Sequence, residues 1–277
     1  MNTNRLVFER DGILVVKGFY DYEGVIAPIQ EGIRNIIELV ARKHGLEVAC
    51  STPEEAMIRG YREIIGQNRS WGGLIYDAVK QIPEFMTLVS LPRNAEIFRE
   101  LRPGSVPGIA AGGYGIRIDN PGEDTFRSPW HQEFPAQLRS VDGVVFWSPL
   151  LSISADMGPV EVAVGSHREG MVPVYSEIGS GKSGAYALRL DDEAQRLARY
   201  PHQAPLTEPG DLILMDFLTL HQSGLNISDR PRWSMQFRYF NFADPIGVRI
   251  GWAGSFAAAQ DFAAILPELR STHEAQK

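Results

Sequence analysis

Two histidines and one carboxylate are the residues best suited to hold a transition metal. His131 and Glu133 lie two positions apart in Ser128-Pro-Trp-His-Gln-Glu-Phe-Pro135. On an extended chain the side chains at i and i+2 project to one face, so both can reach one ion while Gln132 turns away. Far downstream, His221 ends the apolar run Gly210-Asp-Leu-Ile-Leu-Met-Asp-Phe-Leu-Thr-Leu-His221, which reads as one strand. Two imidazoles and a carboxylate on one side of an ion form the facial triad of non-haem iron(II) oxygenases, with positions left open for cosubstrate and dioxygen. An H-x-E triplet alone is common, and a lone histidine is more often a capped or core residue than a ligand. The downstream context adds weight. Arg232 follows His221 by eleven residues and stands at the head of another strand. A five-carbon diacid that chelates a metal through its keto-acid end needs a cation for its far carboxylate, and a guanidinium meets it bidentately. Arg232 suits that role, Ser223 can add a hydroxyl donor, and Trp147 can wall the same space.

Such residues need a rigid frame. Residues 12–18 form a compact β-branched segment, and Ile26, Ile29, Ile33, Ile36, Ile37 and Val40 recur with a helical period until Gly45. Thr52-Pro-Glu-Glu opens a further helix with an N-cap, a proline and acids near the positive end of the dipole. More helix is expected over 75–89, broken at Pro83, and over 95–101. After Pro103 the texture changes to short segments rich in Val, Ile, Phe, Tyr and Trp between Gly, Pro, Asn and Asp turns. Strands are expected at 113–118, 143–147, 160–164, 211–217, 233–240 and 247–252. That spacing implies a sandwich or barrel rather than a parallel sheet with crossover helices. The expected fold class is mainly β with a helical flank (α+β). One domain spans 1–277: a helix-rich flank over 1–105, a β core over 106–252, and a C-terminal helix and tail over 253–277.

The bulk numbers narrow the function classes. A chain of 277 residues with 44% hydrophobic and 22% charged residues buries a full core without disulfides. Cys50 is the one cysteine, which excludes an internal disulfide and a multi-cysteine metal site and fits a reducing cytoplasm. A net charge of −7 argues against a nucleic-acid partner. The N-terminal MNTNRLVFERDG lacks the apolar stretch of a signal peptide, and no run of about 18 apolar residues could span a membrane. A small-molecule partner and a cytoplasmic location are the expectation. Gly179-Ser-Gly-Lys-Ser183 echoes a phosphate loop, but Ser176 stands where the upstream glycine belongs, so it reads as a loop.

Taken as ordered blocks, the sequence resembles the phytanoyl-CoA dioxygenase-like family of 2-oxoglutarate oxygenases. The blocks are Trp130-His-Gln-Glu133, Trp147, Gly158-Pro-Val-Glu-Val-Ala-Val-Gly-Ser-His167, Gly210-Asp211, His221-Gln-Ser-Gly-Leu-Asn226 and Arg232. The resemblance implies a double-stranded β-helix (jelly roll, cupin-like). It also implies iron(II), 2-oxoglutarate and O2 as cofactors, with hydroxylation of a small molecule as the default outcome. Tyr114, Arg117, Gln132 and Arg238 are the candidates for substrate contact. The family's usual aspartate is here Glu133. Halogenating relatives carry alanine or glycine at that point, so Glu133 disfavours halogenation. Asp156-Met-Gly-Pro159 lacks the family's asparagine. His167 reads as a turn-stabilising hydrogen-bonder, and His44, His202 and His273 as surface residues. Two alternatives stay open: a cupin-type metal enzyme without 2-oxoglutarate, and a non-catalytic metabolite-binding relative.

Overall fold

The computed structural model describes residues 3–176, 188–254 and 262–271. The Gly179–Ser183 segment, His273 and most of the expected C-terminal helix lie outside the described residues. Strands β1 (Ile13–Val16), β2 (Pro107–Ile109), β3 (Gly115–Asp119), β4 (Gly143–Pro149), β9 (Leu212–Asp216) and β11 (Arg232–Asn241) form the larger sheet. Its order is β1-β9-β4-β11-β2, with β3 also on the free edge of β11, and every pairing is antiparallel. Strands β5 (Val160–Ala163), β8 (His202–Gln203) and β10 (His221–Ser223) form a second sheet in the order β10-β5-β8. Strands β6 (Val174–Ser176) and β7 (Leu188–Leu190) pair apart from both.

Helices α1 (Thr3–Asp11), α2 (Ala27–Lys43), α4 (Tyr61–Gln67), α5 (Trp71–Val79), α6 (Pro83–Val89) and α7 (Pro92–Leu101) build the core on one face of the larger sheet, with the short α3 (Pro53–Glu55) against α2. The expected caps are present: Thr52 Oγ1 accepts from the Glu55 amide at 3.1 Å. The break before Pro83 falls where proline demands it. Alternation along β11 divides the interior in two. Trp233, Met235, Phe237 and Tyr239 join Ile29, Ile33 and Ile37 of α2 in the helix-side core. The opposite face of that sheet, with Val145, Trp147, Ile213 and Met215, meets Val160 and Val162 of the second sheet. The polar residues of β11 face this second interior, which is the inside of the jelly roll.

Three expectations need correction. Residues 247–252 are not a strand, because Pro245–Ile250 is helical (α10, after α8 at Glu133–Gln137 and α9 at Glu193–Leu197). Asp244 accepts from the Gly247 amide at 2.8 Å, proline fills the first turn, and Gly251 closes the helix at φ 64°. These caps override the β-branched alternation of Gly-Val-Arg-Ile. The run 210–221 is not one strand either. Asp216 accepts from the Leu218 amide at 2.7 Å and Thr219 bonds back to Asp216, so the chain turns and His221 begins β10 in the other sheet. Finally, extended backbone ends at Gln132, and Glu133 is the first residue of α8.

Candidate metal centre

His131 and His221 meet across an isolated antiparallel bridge. Each donates its amide to the other's carbonyl, at 3.0 and 3.1 Å. Directly opposed residues of an antiparallel pair share a face, and the two imidazole centroids therefore lie 4.2 Å apart. The Glu133 amide bonds to the Phe217 carbonyl at 2.9 Å, which ties the start of α8 to the turn preceding β10. Each imidazole is then fixed through Nδ1: His131 against the Pro129 carbonyl at 2.8 Å, His221 against the Thr219 carbonyl at 2.9 Å. With Nδ1 carrying the proton towards a carbonyl, both Nε2 lone pairs face inward, as a metal ligand requires. Glu133 Oε2 stands 3.8 Å from each Nε2. Among the described residues this is the one group of histidine, cysteine or acidic side chains whose ligand atoms converge, all within 4.8 Å of one another.

The electrostatics favour the ligand forms. Burial, followed by the nearby His131, pushes His221 down to about 3, so its imidazole is neutral at any ordinary pH. Burial alone would raise the Glu133 carboxyl. Arg238 and the two histidines outweigh it and hold that carboxyl well below the usual range. A buried carboxylate and a buried neutral imidazole, with the partly buried His131 ring beside them, fit a divalent transition metal.

The cavity over these atoms has a volume of about 130 Å³. Ser223, Trp147, Arg117 and Arg238 line it, as the sequence suggested. Three other candidates do not. Gln132 donates to the Gly170 and Leu218 carbonyls and accepts from the Val172 amide, which consumes its amide group beneath the site. Tyr114 packs against the helix-side core instead. Arg232 is buried at the head of β11, paired with Asp119 at 2.9 Å and directed at the Met157 carbonyl. Asp119 also holds Arg117 at 2.8 Å, so one carboxylate links a cavity-lining cation to a hidden one. Burial works to raise that carboxyl, but the two guanidinium groups keep it well below its ordinary value.

Gln137, Gln236, Val145 and Met215 also line the cavity and were not singled out from sequence. Strand parity with Arg232 could have found Gln236, and with it the inward face of β11. Among the remaining histidines, His167 bonds the Glu9 carbonyl at 3.0 Å, His202 bonds Glu161 at 3.0 Å, and His44 stacks on Trp71. None of the three lines the cavity.

A second cavity of about 360 Å³ lies beside the first at the β3 edge, lined by Tyr61, Arg69, Tyr76, Ile118 and Phe126. Arg117 lines both. Among the described residues no helix is long and apolar enough to cross a membrane.

Residues 114–234 match the phytanoyl-CoA dioxygenase (PhyH) family model, the family that the ordered sequence blocks resemble. The match takes in His131, Glu133, His221 and Arg232, and ends before Arg238. Several solved structures share the fold. EctD from S. alaskensis, solved with 2-oxoglutarate and 5-hydroxyectoine, is 20% identical over 88% of this chain and 77% of that chain, with a TM-score of 0.58. The α-ketoglutarate-dependent epimerase SnoN from nogalamycin biosynthesis is 18% identical over 88% and 85%, with a TM-score of 0.53. AviO1 from Streptomyces viridochromogenes is 16% identical over 87% and 95%, with a TM-score of 0.54. These likenesses establish the jelly-roll fold. No curated protein matches the sequence.

Proposed function

We propose that this chain, in which the phytanoyl-CoA dioxygenase match and the converging ligand atoms coincide, is an iron(II)- and 2-oxoglutarate-dependent oxygenase acting on a small molecule. The observation that carries the reading is the meeting of His131 Nε2, His221 Nε2 and Glu133 Oε2. Iron(II) held by these three would supply the oxidation of a substrate C–H bond by dioxygen, coupled to conversion of 2-oxoglutarate to succinate and CO2. The residues around it do the rest. The two Nδ1 hydrogen bonds keep each imidazole in the ligand tautomer. Trp147, Val145, Val160 and Met215 give the cavity apolar walls that exclude water.

For the cosubstrate's far carboxylate, Arg117 and Ser223 are the groups at hand, since both line the cavity. Arg232 then acts through Asp119, whose other oxygen fixes Arg117. The substrate's main body lies in the second cavity. The metal cavity is well below the roughly 300–1,000 Å³ of ordinary ligand pockets, whereas its neighbour falls within that range. Tyr61, Tyr76 and Phe126 suit an apolar or ring-bearing group. Hydroxylation is the expected outcome, and the carboxylate of Glu133 disfavours halogenation.

The test is spectroscopic. Anaerobic addition of iron(II) and 2-oxoglutarate should give the weak visible charge-transfer band of the chelate, and oxygen should then release succinate. Folded, iron-loaded protein without the band would sink the 2-oxoglutarate reading and favour a cupin-type enzyme. A band without succinate release would favour a silent binder. Arg117→Ala is expected to weaken the band's 2-oxoglutarate dependence more than it lowers metal loading.

A further inference from the structure

Glu133 uses both of its oxygens. Oε1 accepts the shorter bond, from Arg238 Nε at 2.9 Å, while Oε2 accepts a longer one from Arg238 Nη2 at 3.3 Å and also faces the two histidines. The guanidinium is itself held: Nη1 donates to the Gly113 carbonyl at 3.2 Å, and Nη2 donates to Gln236 Oε1 at 3.2 Å. Its backbone is fixed as well, with Arg238 opposite Val145 in the β11–β4 register and its carbonyl accepting from the Ala110 amide at 3.0 Å. A rigid fork on a central strand therefore grips the acid that opens α8. A buried ion pair is weak evidence for stability, because desolvating both charges costs about as much as their attraction returns. It is better evidence for function where one partner also belongs to a converging ligand set.

We infer that Arg238 is the positioning residue of the metal centre: it orients Glu133 so that one carboxylate oxygen is presented to the ion and the other is kept from it. The inference rests on the metal reading above. It gives the glutamate a purpose, because an aspartate is one methylene shorter and could not reach the histidine pair and the strand-held guanidinium together. A carboxylate without this restraint is free to turn both oxygens to the ion, occupying room that the cosubstrate needs. The geometry also separates the two β11 arginines that parity alone makes equivalent: Arg232 serves Asp119, and Arg238 serves Glu133.

Anaerobic titration with cobalt(II), followed through its visible d–d bands, tests this without any turnover. Wild-type protein, Arg238→Gln, Arg238→Lys and Glu133→Asp are compared, with circular dichroism and thermal unfolding of each metal-free form. Arg238→Gln is expected to weaken cobalt(II) binding about 10–100-fold, the usual range for a group that orients a ligand, and to change the band shape. Arg238→Lys, which keeps the charge and loses the fork, should fall between. Glu133→Asp should weaken binding, and adding Arg238→Gln to it should weaken it little further. A purely structural arginine would lower the unfolding temperature and leave affinity and bands unchanged, and that result overturns the inference. Should Arg238→Gln not fold, wild-type affinity and bands in Arg238→Lys overturn it equally. Failure of the wild type to take up cobalt(II) overturns the metal reading and this inference with it, whereas normal wild-type uptake with an unaffected Arg238→Gln sinks this inference alone.

Discussion

Arg232 shows how one side chain supports two different readings. From sequence it is a strand-end cation eleven residues past His221, suited to a diacid. In the fold it is 2% exposed and bound to Asp119, so it stabilises a buried network before it can serve any ligand. Removing one partner of such a pair leaves the other charge buried without compensation, at a cost of about 3–5 kcal/mol. Arg232→Leu is therefore expected to lose that much stability in urea unfolding, and Asp119→Asn with Arg232→Leu should lose less than the sum of the two single changes. Equal unfolding midpoints for Arg232→Leu and the wild type would show that the pair contributes nothing. The proposed metal ligands behave differently. His131 and His221 could be picked out as candidates only because the ordered blocks downstream, down to Arg232, accompany a triplet that is common by itself. The Glu133–Arg238 contact could not be, because 105 residues separate its partners and parity reveals a face but no distance.

At the scale of elements, caps and close approaches decide what periodicity leaves ambiguous. Helix α10 exists because Asp244, Pro245 and Gly251 bracket it, although its interior residues favour a strand. Asp244→Ala should cost about 1 kcal/mol, read from chemical denaturation, and the loss should be smaller if the helix frays in the native state. The loop of Asp156-Met-Gly-Pro159 offers a sharper case. Gly158 has φ 64°, and a Cβ there would sit 2.5 Å from the Gly224 carbonyl carbon. Gly224 follows β10, which begins with His221, so this contact braces the strand that carries a proposed ligand. Gly158→Ala is expected to destabilise by about 1–3 kcal/mol and to lower metal loading as well. Unchanged loading would mean that the bridge to His131 holds His221 unaided.

Across the whole molecule, buried titratable groups make stability depend on acid in one direction. In the unfolded chain His221 takes up a proton below 6.5, but the folded protein resists this down to about 3. The unfolded state thus binds more protons in that interval, and metal-free stability falls as pH drops through it. The Asp119 and Glu133 carboxyls lie below their ordinary 3.8 and 4.5, so their contribution is complete above those values and is lost on further acidification. Thermal unfolding of metal-free protein should show the melting temperature declining below about pH 6.5 and more steeply below about pH 4.5. A flat profile down to pH 4 would contradict this account. Excess metal should flatten the upper part of the decline, because a bound ion opposes protonation of its ligands.

The sequence by itself determined most of the elements and which residue types could form the proposed ligand set. Period, caps and turn residues specify helices in the front portion and short strands behind it, and these signals are local. Residue types and their order persist through any folding, which is why His131, Glu133 and His221 could be picked out as candidates before their convergence was seen. Only the tertiary structure decided who stands beside whom. The bridge between His131 and His221, the turn that ends β9 at Asp216, and the division of Arg232 and Arg238 between two acids all depend on contacts between distant segments. A one-dimensional pattern carries the face of a side chain, but reach and partnership are set by how the two sheets close around the site.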